Sequence, residues 1–125
     1  MTVTPNGPNG AFTAIANLTP AYRDNPALVS WTRRLDFAAR KLTVRDAFQL
    51  GAGTAAFFQV NTPVQPVVSG RVATAGRLRI NVLEPSNATL SVRSWNALDA
   101  GEFTTGWRLQ VAGGTTGYLV EFTEI

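Results

Sequence analysis

Two-residue alternation of apolar and polar side chains from Val29 onward is the feature that most restricts this chain. Successive side chains of an extended strand point to opposite faces, so such a pattern builds sheets with one buried and one wet face. Val29, Trp31, Leu35 and Phe37 share one parity, against Ser30, Thr32, Arg34 and Asp36. Leu42, Val44 and Phe48 share a parity against Thr43, Arg45 and Ala47. A hairpin turning at residues 38–41 sets Phe37 opposite Leu42, Leu35 opposite Val44, Trp31 opposite Phe48 and Arg33 opposite Asp46. A slip of one residue would turn the whole apolar set outward, so the pattern itself fixes the register.

The same period returns further along. Leu78, Ile80 and Val82 alternate with Arg77, Arg79 and Asn81, and the turn-forming Glu84-Pro85-Ser86-Asn87 follows. Leu90 and Val92 face one way, with Arg93 and Trp95 on the other side. Trp107, Leu109 and Val111 alternate with Arg108 and Gln110, and Tyr118, Val120 and Phe122 follow the glycine-rich residues 113–117. These last two segments read as a second hairpin, with Val111 opposite Tyr118 and Trp107 opposite Phe122. Residues 12–16, 55–60 and 67–72 are shorter strand candidates, while residues 19–27 lack alternation and read as a loop with one helical turn. The expectation is an all-β fold, an antiparallel two-sheet β-sandwich of about eight or nine strands. Residues 11–125 form its single domain, and residues 1–10, rich in Asn, Gly and Pro, form a flexible leader or linker.

Composition narrows the chemistry. Charged residues are 15% of the chain, and there is neither Cys nor His. Thiolate nucleophiles, disulfides and Cys-ligated metals are thereby excluded, as is the commonest general base near neutral pH. Asp and Glu show no ligand spacing for a divalent cation, and no phosphate loop or nucleophile elbow occurs, so no metal or cofactor is expected. No nucleic-acid motif and no long apolar span occurs, so neither nucleic acid nor membrane is the expected partner. Tyr22 and Tyr118 are the only phenols; Tyr118 sits on an apolar parity and reads as core, and Tyr22 lies in the loop. Arg33 and Asp46 read as a structural cross-strand ion pair. Arg34, Arg40, Lys41 and Arg45 gather at the polar face and tip of the first hairpin as a candidate positive patch. Arginine forks there suit carboxylates or sulfates of an acidic polysaccharide. Trp31 and Trp107 read as core, which leaves Trp95 as the tryptophan available to a sugar ring.

The order Ala16-Asn17-Leu18-Thr19-Pro20-Ala21-Tyr22, then a strand with Arg33, Leu35 and Phe37, then Val44-Arg45-Asp46-Ala47-Phe48, resembles the heparinase II/III-like polysaccharide lyases. In that family an Asp-Leu-Thr-x-Ala-Tyr stretch precedes an arginine-bearing strand and a Val-x-Asp-x-Phe strand, and Phe57-Phe58-Gln59-Val60-Asn61-Thr62-Pro63 falls where the next strand belongs. The resemblance implies the distal part of the family's C-terminal antiparallel sheets; these enzymes join such sheets to an α/α-toroid and cleave uronate polysaccharides by β-elimination. It also implies a secreted or periplasmic bacterial setting. The family's catalytic residues lie in parts that match nothing here, so none is carried over. Asn17 stands in place of Asp and Asn61 where His is common, so no role is carried onto either. The expected function is a non-catalytic β-sandwich module that supports the toroid and contacts acidic polysaccharide. A stand-alone carbohydrate-binding module, or an interaction domain without sugar affinity, is the alternative.

Overall fold

The computed structural model describes residues 1–98, 101 and 105–125. In chain order the strands are β1 (Thr2–Pro5), β2 (Phe12–Asn17), β3 (Leu28–Ala38), β4 (Lys41–Leu50), β5 (Phe58–Thr62), β6 (Val67–Ser69), β7 (Val72–Ala75), β8 (Leu78–Glu84), β9 (Thr89–Ser94), β10 (Trp107–Ala112) and β11 (Gly117–Glu124). A 3-10 turn at Thr19–Tyr22 links β2 to β3, and a single helical turn, α1 (Trp95–Leu98), follows β9. The fold is all-β, with every strand pair antiparallel: one sheet in the order β1-β2-β3-β4-β11-β8-β7-β6 and a second in the order β5-β10-β9.

Alternation sets the β3–β4 register as the sequence requires. Phe37 pairs with Leu42, Leu35 with Val44, Arg33 with Asp46 and Trp31 with Phe48. Ala39 and Arg40 close the hairpin with φ of 50° and 61°. Positive φ at both central residues is the twist that matches two right-twisted strands. Val29 departs from its parity, because the ladder passes from the Leu28–Leu50 pair directly to Ser30–Gln49. That bulge leaves Val29 unpaired and exposed.

Inward residues of both sheets meet in one core. Val44, Ile80, Val82, Tyr118 and Val120 of the large sheet and Phe58, Leu109 and Val111 of the small one form its centre. Leu35 and Phe122 pack against it. At about 25 cal/mol per Å² of apolar area, each fully buried aliphatic side chain contributes about 1.5–3 kcal/mol, which makes this layer the main source of stability. β1 and β2 contribute nothing to that cluster among the described residues.

Three sequence expectations change. Strands 107–111 and 118–122 are not a hairpin: β10 lies between β5 and β9, whereas β11 lies between β4 and β8 in the other sheet. Residues 113–116 instead carry the chain across the core, with Gly113 at φ 109° and Gly114 packed under the Tyr118 ring. A Cβ on Gly114 would lie 2.6 Å from that ring, so only glycine passes there. Where a flexible leader was expected, residues 2–5 form β1 and pair with β2, Val3 opposite Ala14. The strand expected at 67–72 is two strands, β6 and β7, turning at Gly70 with φ 60°; with β1 this gives eleven strands among the described residues.

Candidate functional site

A cleft of about 240 Å³ opens at one end of the β3–β4 hairpin. Tyr22, Trp31, Phe48, Phe57, Tyr118 and Asp46 line it. Each is placed by local structure. Pro20 initiates the 3-10 turn that ends at Tyr22. The turn is tied to β3 because Leu18 N–H donates to the Trp31 carbonyl at 2.8 Å and Trp31 N–H donates to Thr19 Oγ1 at 2.9 Å. Tyr22 consequently rests on the Trp31 ring, centroids 5.4 Å apart. Residues 51–57 form another wall, where Gly51 N–H donates to the Ala27 carbonyl at 2.9 Å. A Cβ on Gly51 would stand 2.0 Å from the Pro26 carbonyl oxygen, so glycine is required for this close approach.

The carboxylate of Asp46 and the phenol of Tyr118 are committed to the fold, whereas the Trp31 indole N–H is buried without an acceptor. Arg33 Nε and Nη2 donate to Asp46 Oδ1 and Oδ2, both at 2.7 Å. The guanidinium also lies 5.2 Å from the centroid of Trp31 and 5.4 Å from that of Phe58. The bond to Asp46 holds the Arg33 pKa above its ordinary value against the opposing effect of burial. Tyr118 is 2% exposed. Its hydroxyl donates to the Ala56 carbonyl at 2.6 Å and accepts from Gly114 N–H at 3.0 Å. Burial pushes the Tyr118 pKa up, despite the Gly114 hydrogen bond, so the phenol stays protonated well beyond neutral pH. Two of the lining rings are exposed, Tyr22 to 40% and Phe57 to 51%, and the exposed Asn25 lies beside them.

Each cation of the candidate positive patch has a carboxylate partner, with Arg40 sharing Glu124 with Arg77. Arg34 binds Asp36 at 2.8 Å, Lys41 faces Glu121 at 3.5 Å, Arg45 meets Glu84 at 3.2 Å, and Arg40 binds Glu124. Arg34, and then the Thr13 hydroxyl, hold the Asp36 carboxyl below its ordinary range. Arg34 and Arg45 stand directly opposite each other across β3 and β4, so their carboxylate partners relieve a cross-strand repulsion. Trp95 does not join these residues. It opens α1 beyond β9 of the small sheet, is half-buried, and carries the Arg108 guanidinium 4.3 Å from its ring centroid. Asn61 lies on the outward side of β5 opposite Arg108, and Asn17 Oδ1 accepts from Thr19 N–H at 3.1 Å.

Sequence reasoning missed the pairing that brings Arg93 opposite Arg108. Its signal was present, since both lie on the polar parity of their strands, but the mistaken 107–122 hairpin gave β10 the wrong neighbour. Among the described residues no cluster of acidic side chains is arranged to hold a metal ion, and no helix is long and apolar enough to cross a membrane. No protein-family model matches the chain, and no curated protein matches it.

Proposed function

We propose that the chain is a non-catalytic β-sandwich module like that of the heparinase II/III-like polysaccharide lyases, supporting a toroidal catalytic part and contacting acidic polysaccharide. The observation that carries this reading is the cleft itself. Its buried carboxylate is taken up by Arg33 and its buried phenol is held protonated by burial. Neither is poised to abstract a proton, whereas the exposed rings of Tyr22 and Phe57 offer apolar surface for another domain to cover. The tie between the Thr19–Tyr22 turn and β3 brings Tyr22, from the first stretch of the resemblance, beside Asp46 and Phe48, from a later one, in the lining of the cleft.

The gene and a binding assay test this together. A toroid coded in frame upstream of Met1, or in an adjoining gene, fits the proposal, and that toroid should form a 1:1 complex with the chain. Phe57→Ala should weaken the complex at least tenfold without lowering the melting temperature. A toroid that binds wild-type and Phe57→Ala chains equally would exclude this docking surface, and a locus without any polysaccharide-degrading gene would remove the lyase reading.

A further inference from the structure

The outward face of the small sheet carries an arginine pair that no carboxylate among the described residues neutralises. Arg93 of β9 stands directly opposite Arg108 of β10, and Arg108 is in turn opposite Asn61 of β5. The next outward row is Ser91, Gln110 and Gln59, with Gln59 Nε2 donating to Gln110 Oε1 at 3.3 Å. Directly opposed like charges destabilise a sheet. On the large sheet the Arg34–Arg45 pair is relieved by Asp36 and Glu84. Among the described residues no carboxylate lies within ion-pair distance of Arg93 or Arg108. Arg108 Nε is also buried without a hydrogen-bond acceptor. The Trp95 ring beneath its guanidinium orients the fork without supplying a carboxylate to pair it.

We propose that the Arg93–Arg108 pair is an oxyanion site for an acidic saccharide, a uronate or a sulfated sugar. The oxyanion would sit between the two guanidiniums, relieving their repulsion by charge-assisted hydrogen bonds. The amide and hydroxyl side chains of Asn61, Gln59, Gln110 and Ser91 extend the site with groups that both donate and accept, the chemistry that suits sugar hydroxyls. The saccharide class rests on the polysaccharide-module reading above; the oxyanion site rests on the arginine geometry alone.

Calorimetric titration of the full chain with an alginate hexauronate, cellohexaose, sodium sulfate and single-stranded DNA tests both parts. The hexauronate should bind, cellohexaose should not, and Arg93→Gln should weaken hexauronate binding at least tenfold while Arg79→Gln, on the other sheet, changes it less than twofold. Arg93→Glu keeps a readout if folding is in question: it places a carboxylate opposite Arg108, and so should raise the melting temperature while abolishing binding. Sulfate protection that Arg93→Gln removes, with no tighter binding of hexauronate, would overturn the saccharide assignment while leaving the oxyanion site. Preferential binding of single-stranded DNA would likewise overturn the saccharide. Hexauronate binding unchanged in Arg93→Gln, or no anion binding at all, would overturn the site itself, whatever becomes of toroid docking.

Discussion

The Asp46 carboxylate takes both arms of the Arg33 fork at 2.7 Å, on the inner face of a hairpin whose other inward residues are apolar. Asp46 is 5% exposed, so its charge is satisfied by the protein rather than by water. The pair fixes register as well as charge, since a one-residue slip would place both groups on the wrong face.

Removing one partner should therefore cost more than an exposed ion pair is worth. Asp46→Asn leaves the Arg33 guanidinium without its counter-charge, and a loss of about 2–4 kcal/mol is expected, near the lower end for breaking a buried pair because Arg33 is partly exposed. Chemical denaturation checks this, and an unchanged midpoint would show that the pair contributes nothing.

The turn offers a change in the other direction. Ala39 and Arg40 hold φ of 50° and 61°, a conformation that Asn and Gly adopt at far lower cost. Ala39→Asn with Arg40→Gly should stabilise the hairpin by about 1 kcal/mol, since the lost Arg40–Glu124 contact is on the surface and worth little. A higher melting temperature is the expected reading.

Gly117 joins β11 to β4 at the mouth of the core. A Cβ there would lie 2.2 Å from the Asp46 carbonyl oxygen, a backbone atom that cannot swing aside. Gly117→Ala should destabilise by about 2–3 kcal/mol by forcing the strands apart, with amide exchange quickening along β4 and β11 before the small sheet.

Alkaline pH should act through Tyr118. Its folded pKa is raised by burial, so above the ordinary tyrosine value near 10 the unfolded chain releases the proton first. The stability tied to this group is complete below that pH and is lost as pH rises through the folded value. Tyr118→Phe should be less stable at pH 8, because the Ala56 carbonyl and Gly114 N–H lose their partner, and its stability should fall less steeply above pH 10 than the wild type. Melting curves of both proteins across this range give the comparison.

The β3–β4 hairpin was legible because both strands carry one strong parity and only one register matches them. β10 and β11 carry equally strong parities, yet alternation says which face is buried and not which strand lies alongside. Residues 113–117 look like a turn, but Gly114 is there to pass beneath Tyr118 on the way to the other sheet. Arg34 and Arg45 share the outward face of the hairpin, as their parity implies. Three of the carboxylate partners, Glu84, Glu121 and Glu124, were hidden because they come from β8 and β11, distant in sequence, whereas Asp36 lies two residues from Arg34. The Arg93–Arg108 pair was hidden for the same reason, since it exists only once β9 and β10 are known to be neighbours.

The most direct measurement is the absorbance of unsaturated uronate released when the purified chain is incubated with alginate, heparin or chondroitin sulfate between pH 5 and 10. A non-catalytic module releases none, because Asp46 and Tyr118 are committed to the fold and the cleft is aromatic. Sustained turnover that Tyr22→Phe abolishes would contradict this, making the exposed phenol a proton-transfer group and the chain an enzyme in its own right.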